Sequence, residues 1–299
     1  MTQNNNLDVA KEVCGADASV YLANKHRGGK AGGEGVQFET WYAIYNAAKL
    51  VRETLLNGLP EPVLWTQTMD YVDDFVISWN EESHYQHFQL KNTENISWTA
   101  GAHPIAEDFR LQKLLNEGVG IRSTSTTLVL PGNKKAATLQ TSIPENISAF
   151  SSVEQFAFGA TLNHVLQIEP KLHRALADLC INSDYDKVER LGSLFVGAWV
   201  SKSGNACNLK EIWNDVLQHE PNYIKIPSEV DIPEKFSQLL MQIKGFSYTM
   251  VNGVFEWSYL ESDSGTFEHS LNSKEFLNFQ FTIIANAPST FEDLERYLI

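Results

Sequence analysis

Residues 74–91 read DFVISWNEESHYQHFQLK, two runs rich in aromatic and β-branched residues joined by the polar stretch NEES. Such runs favour extended backbone, and a short polar link between them is what a hairpin needs. Side chains alternate along a strand, so Phe88 and Leu90 share one face while Gln89 and Lys91 share the other. An amide and an ammonium therefore stand together at the end of one strand. Asp73 and Asp74 stand where its partner begins.

The flanking segments place this hairpin in a layered α/β unit. Residues 36–57, VQFETWYAIYNAAKLVRETLLN, carry apolar side chains at 38, 41, 42, 45, 48, 50, 51 and 55. That spacing predicts a helix, and NGLPEP closes it. VLWTQT (63–68) predicts a strand, HPIAEDFRLQKLLNEG (103–118) a helix, and STTLVLPGN (125–133) a buried strand ending in a turn. The order helix, three strands, helix, strand predicts a mixed sheet flanked by helices.

Past Pro144 the pattern changes. NHVLQIEPKLHRALADLC, DKVERLGSLFVGAWVSK and NLKEIWNDVLQHE predict helices. GFSYTMVNGVFEWSYLES predicts a hairpin turning at Asn252-Gly253, because Asn-Gly tolerates the positive φ angles of a tight turn. NFQFTIIANA predicts a strand, and STFEDLERYLI a closing helix capped by Ser289. Two domains are expected: residues 1–148 with the mixed sheet, and residues 149–299 as a mostly helical α+β domain for assembly or regulation.

Charge limits the function classes. The net charge of −14 argues against a general nucleic-acid binder, since phosphate contacts require Lys and Arg. Residues 201–299 hold seven Lys/Arg against fourteen Asp/Glu, a balance of −7, whereas KHRGGK (25–30) is locally basic. The surrounding LANKHRGGKAGGEG (22–35) reads as a Gly-rich loop, but it lacks the G-K-[ST] ending and the preceding strand of a phosphate loop. Cys14, Cys180 and Cys207 form no close pair, so neither a disulfide framework nor a zinc site is expected. No apolar run approaches the ~20 residues of a membrane span, and MTQNNNLDVAKEV lacks the apolar stretch of a signal peptide. A cytoplasmic protein without a membrane partner is the expectation.

G-x-x-F-E from Gly35 to Glu39, the aspartate opening a strand at Asp74, and Gln89-x-Lys91 together resemble the PD-(D/E)xK nuclease superfamily. Within it they look most like the Mrr-type restriction endonucleases, in which Gln replaces the second acid. YVDDFVIS and FQLKNT resemble more narrowly the double-stranded DNA endonuclease domains of bacterial anti-phage effectors. The resemblance covers residues 30–135 and implies a restriction-endonuclease-like fold for the N-terminal domain. It implies catalytic roles for Glu39, Asp74, Gln89 and Lys91. Mg²⁺ or Mn²⁺ would be held by Asp74, by the amide oxygen of Gln89 with the Leu90 carbonyl, and by Glu39 directly or through water. Lys91 would orient the attacking water and stabilise developing charge. Asp74 is preferred to Asp73 because that register leaves Phe75, Ile77 and Trp79 together on the packing face. Lys25, His26, Arg27 and Lys30 would contact backbone phosphates.

Each residue alone has a plainer reading. Glu39 can be a solvated helix residue, Asp73-Asp74 a turn feature, and Lys91 an exposed strand-end charge. His84 and His87 match no metal spacing and read as structural or DNA-facing. Trp98 reads as an anchor, and Phe255, Trp257 and Tyr259 as a partner surface or a core. The combined expectation is a metal-dependent double-stranded DNA endonuclease, the effector or a subunit of an anti-phage or restriction system. It would act with a sensor or ATPase subunit or as a homo-oligomer, and the acidic C-terminal half would restrain it. The rival is a non-catalytic nuclease-fold scaffold in a larger defence complex with an ATPase partner. Net charge favours the rival; Asp74, Gln89 and Lys91 oppose it.

Overall fold

The computed structural model describes residues 3–28, 33–56, 60–79, 83–93, 95–202, 206–219, 223–225, 232–260 and 262–298. Three helices come first: α1 (Gln3–Val13), α2 (Ala16–Gly28) and α3 (Gly33–Leu50). The last turn of the expected 36–57 helix, Val51–Leu56, widens into a π-helix. β1 (Val63–Trp65), β2 (Phe75–Trp79) and β3 (His84–Leu90) follow as an antiparallel meander, with Phe75 opposite Phe88. β4 (Ser123–Leu130) runs parallel to β3, and β5 (Ser151–Gln155) runs parallel to β4.

Parallel neighbours need crossover connections. α4 (Ile105–Gly118) provides the first, and α5 (Asn133–Thr141) with α6 (Glu145–Ser148) the second. β6 (Cys207–Asn208) pairs with β1, completing a mixed six-stranded sheet in the order β5-β4-β3-β2-β1-β6. The expected α/β class is therefore the observed one.

The core explains why the sheet recruits residues far along the chain. α3 buries Phe38, Trp41, Tyr42, Ile44 and Ala48, more than one stripe of its surface, so it needs neighbours on several sides. One side meets Phe75, Ile77, Phe88 and Leu90 of the sheet. The others meet α8 (Pro170–Ala177), α9 (Tyr185–Lys202) and α10 (Leu209–Leu217), preceded by α7 (Leu162–Ile168). The Trp41 indole N–H donates to the Gly159 carbonyl at 2.8 Å, and the Tyr42 hydroxyl donates to Glu154 at 2.7 Å. One hydrophobic core includes residues from Phe38 to Ile224, on both sides of the boundary expected at 148.

A second hydrophobic core belongs to residues 232–298. It is built from α11 (Glu234–Gln242), a three-stranded sheet of β7 (Phe246–Val251), β8 (Val254–Tyr259) and β9 (Asp263–Thr266), and helices α12 (Lys274–Asn286) and α13 (Phe291–Glu295). The hairpin turn is at Asn252 and Gly253, both with positive φ (52° and 77°), as a tight two-residue turn demands. Phe255 is fully buried there, and Trp257 and Tyr259 pack against the same core.

The strand expected over NFQFTIIANA is instead α12. Leu277 and Phe281 are exposed while Phe276, Phe279, Gln280 and Ile283 are buried, a helical face that the polar–apolar alternation from Asn278 to Ile283 concealed. Ser273 caps it, accepting the Phe276 N–H at 3.0 Å. α13 is capped by Thr290 rather than Ser289. No helix among the described residues is long and apolar enough to cross a membrane.

On the other face of the sheet, Leu128 and Leu130 pack with Phe109, Trp98 and Leu139, and the α1–α2 hairpin packs Ala10 and Leu22 on Tyr71, Leu111 and Leu115. Trp98 is the expected anchor, its indole donating to the Leu139 carbonyl at 3.0 Å. Gln112 of α4 is fully buried and organises the segment before β2. Its oxygen accepts the Tyr71 and Val72 N–H groups at 2.7 and 3.0 Å, and its nitrogen donates to Asp70 at 3.1 Å and Asn116 at 3.0 Å. Gln112→Leu preserves volume but orphans two buried backbone donors, so it should destabilise the protein by about 2–4 kcal/mol in urea unfolding. A loss below about 0.5 kcal/mol would show that this anchor is dispensable.

Candidate functional site

The cleft is built where β2 begins and β3 ends. Register places Phe75 opposite Phe88, so the chain just before β2 meets the chain just after. Asp74 turns its carboxylate into this junction. Its Oδ2 accepts the Leu90 N–H at 2.7 Å and the Gln89 Nε2–H, and the Lys91 ammonium lies 3.8 Å away. The Lys91 N–H donates to the Val129 carbonyl at 3.0 Å, extending the ladder to β4 and fixing the direction of this lysine. Gln89 is buried, whereas the Lys91 side chain is 39% exposed and faces the open side of the cleft.

Glu39 reaches the same place from α3, its Oε2 accepting from Gln67 Nε2 at 3.2 Å. Burial, and then the charge of Asp74, push its pKa up to about 8 against a weaker opposing effect of the Gln67 bond and Lys91; Asp73 adds to the rise. Asp73 is raised to about 7 by burial and by Asp74, with Lys25 and Lys91 pulling the other way. Glu39, Asp74, Gln89 and Lys91, the four residues singled out from the sequence, therefore share one cleft, and Asp73 shares it with them.

Lys25 corrects an expectation. The described residues of the stretch 22–35 are helical: α2 continues to Gly28, and α3 starts at Gly33. The Lys25 ammonium points inward. It donates to Asp108 at 2.8 Å, to the Gln89 amide oxygen at 3.3 Å and to the Tyr71 carbonyl, with Asp73 at 3.9 Å. It is a resident cation of the cleft rather than a phosphate contact on a free loop. The side chains of His26 and Arg27, and the whole of Lys30, lie outside the described residues. Tyr21 completes this corner by donating to Asp108 at 2.9 Å.

His87 is structural. It is buried, its Nδ1 is 3.1 Å from the Val72 carbonyl and its Nε2 accepts from Asn116 at 2.9 Å, while desolvation lowers its pKa. His84 sits beside the Ser123 hydroxyl at 2.9 Å. Asp108, Gln112 and Asn116 carried a readable signal: they recur every four residues on a helix whose other buried positions are apolar, which marks a polar stripe turned inward.

Among the described residues no three His, Cys, Asp or Glu side chains form a ready metal cluster. The donor chemistry on hand is two or three carboxylates, one amide and a backbone carbonyl, all hard oxygen donors. Two acids driven toward neutrality by burial and then by the neighbouring Asp74 are what a divalent cation would relieve. The group fits in charge and donor type, with one condition. Gln89 directs its nitrogen, not its oxygen, at Asp74, so ligation through this amide requires it to rotate away from Lys25.

Glu39 and Asp73 bind protons more readily folded than unfolded. Their contribution to stability is therefore fully present below about pH 4 and is lost as pH rises through about 7 to 8. Glu39→Gln should raise the unfolding free energy at about pH 9, by an amount on the order of 1 kcal/mol, and change it little at about pH 4. An equal effect at both pH values would mean that Glu39 is not electrostatically strained. Lys25→Met strands Asp108 and Asp73 without their cation and should cost about 3–5 kcal/mol in urea unfolding; a loss under about 1 kcal/mol would contradict a structural role for the ammonium.

No family model matches the chain, and no curated protein matches it. Among solved structures it is similar to the Acinetobacter baumannii Cap4 SAVED/CARF-domain containing receptor with the cyclic trinucleotide 2'3'3'-cAAA, at 12% identity, covering 62% of this chain and 46% of that one, with a TM-score of 0.38. The chain spans less than half the length of that receptor, and a likeness this weak carries no argument about function.

Proposed function

We propose that the chain is a metal-dependent double-stranded DNA endonuclease with its active site in the Asp74–Gln89–Lys91 cleft, serving as an effector or subunit of an anti-phage or restriction system. The observation that carries this reading is the gathering of Glu39, Asp74, Gln89 and Lys91 from three separate elements into one cleft. A surface Lys or a turn-forming Asp would have no reason to meet there. The defence role rests on the resemblance of residues 30–135 to anti-phage nuclease domains.

Mg²⁺ or Mn²⁺, held by Asp74 with Glu39, the Gln89 amide and the Leu90 carbonyl, would supply an activated water and charge neutralisation at a phosphodiester. Lys91, far more exposed than Asp74 or Gln89, would hold a phosphate oxygen or orient the water. Asp74 is positioned by the Leu90 N–H, so its carboxylate keeps one orientation as substrate enters. The acidic residues 201–299 would repel DNA until a sensor, an ATPase subunit or a second copy adds basic surface.

A specific observation supports the rival reading as a non-catalytic scaffold. Asp74 Oδ2 is already satisfied by Gln89 and Leu90, and the Gln89 oxygen by Lys25, so the cleft is self-consistent without a metal.

Plasmid cleavage separates the two. With Mg²⁺ or Mn²⁺ and its assembly partner, the wild-type chain should nick and linearise plasmid, with activity falling steeply as salt is added. The isolated chain should be weak or silent. Lys91→Ala and Asp74→Asn should each lose about 100-fold or more, and Lys91→Ala should unfold within about 1 kcal/mol of wild type. Wild-type cutting by folded Lys91→Ala protein would remove this cleft from the mechanism. No cutting under any assembly condition would leave the scaffold.

A further inference from the structure

A second concavity of about 100 Å³ lies on the far side of the segment that carries the aspartates. Its walls include the rings of Trp65 and Tyr85 and the side chain of Val76, and its polar lining includes Asn6, Asp70 and Asn116. Tyr85 lies on the same face of β3 as His87 and Gln89, so the cavity and the cleft are neighbours along one strand.

The polar groups there are unequal. Asn116 is fully committed to His87, Thr124 and Gln112. Asp70 is only 9% exposed, its Oδ1 accepts from Gln112 at 3.1 Å, and no Lys, Arg or His forms an ion pair with it among the described residues. Asn6 donates its Nδ2–H to the Met69 carbonyl at 3.1 Å, while its buried Oδ1 has no hydrogen-bond partner. The buried Asn6 amide oxygen lacks a donor, which is costly to leave bare, and the Asp70 carboxylate beside it has room to accept more than its one bond from Gln112. Both groups accept N–H donors.

We propose that this cavity is a binding site for a small planar heterocycle with adjacent N–H donors on one edge, the amidine-like edge of an amino-substituted pyrimidine or purine base. A carboxylate receives two parallel N–H bonds from such an edge, as it does from a guanidinium. Planarity follows from the aromatic walls, which offer stacking area to a flat ring. Size limits the inserted part to about one ring, since a cavity of about 150 Å³ accommodates benzene. The neighbouring Tyr71 and Val72 are pinned by the same Gln112 that holds Asp70, so a ligand on Asp70 also stiffens the segment leading to Asp73 and Asp74. The site stands apart from the nuclease reading and survives its failure.

Isocytosine and pyrimidin-4-one differ by the exocyclic amino group alone and serve as probes in saturation-transfer NMR and melting-temperature shifts on the full chain. Isocytosine should bind within about 10 mM, a range open to a ligand of this size, and pyrimidin-4-one at least about tenfold more weakly. Asp70→Asn keeps the acceptor for Gln112 and should weaken isocytosine by at least about tenfold; Trp65→Leu should also weaken it. No isocytosine binding to folded wild-type protein, or equal binding of the two probes, would overturn the proposal and leave the cavity to water. The probe comparison uses wild-type protein, so it decides even where a variant fails to fold.

Discussion

Burial in a poorly hydrated cleft, and then the neighbouring Asp74, raise the proton affinity of Glu39 and Asp73, and the structure around these three acids is arranged to bear that cost. Two lysines offset it from different elements: Lys91 from the end of β3 and Lys25 from α2. Burial makes the repulsion strong, because a low-dielectric site screens charge poorly. It also makes the supporting bonds necessary. Gln112 holds the backbone before the aspartates, Leu90 N–H holds Asp74, and Gln67 holds Glu39. Without those anchors the acids would separate toward water.

This arrangement has two ways to reach electrical balance. In one, Glu39 and Asp73 stay substantially protonated near neutral pH, Gln89 bridges Asp74 and Lys25, and the cleft is closed upon itself. In the other, a divalent cation takes over the neutralisation, and Gln89 presents its oxygen instead of its nitrogen. Under the proposed nuclease reading, scaffold and enzyme would differ by one amide rotation and the protonation of two acids. Lys25 would bias that choice, since its ammonium holds the Gln89 oxygen in the first state.

The strand hairpin, α3 and the convergence of Glu39, Asp74, Gln89 and Lys91 were legible because they depend on local alternation and helical spacing. Lys25 was not. Its neighbourhood, KHRGGKAGGEG, has the composition of an exposed loop, and only the packing of Leu22 and Ala10 against Tyr71 and Leu115 turns that lysine inward. The sharing of one core across residue 148 is hidden for a related reason: the change in pattern past Pro144 marks the end of the sheet's crossovers, while the demand of α3 for neighbours on several sides is a tertiary requirement. α12 looks like a strand in sequence because Phe279, Phe281 and Ile283 alternate with polar residues, although Phe281 is exposed on the helix. The polar stripe Asp108, Gln112, Asn116 was readable but went unused, and it connects β3, the aspartate segment and the second cavity.

The most direct test is a crystal of the full chain soaked in Mn²⁺ at about pH 8, high enough for Asp73 and part of Glu39 to ionise, read by anomalous scattering. The nuclease account predicts an anomalous peak at Asp74, shared with Glu39 or the Leu90 carbonyl, and a Gln89 side chain turned away from Lys25. A cleft without a peak, with Gln89 still bridging Asp74 and Lys25 at saturating Mn²⁺, would contradict it.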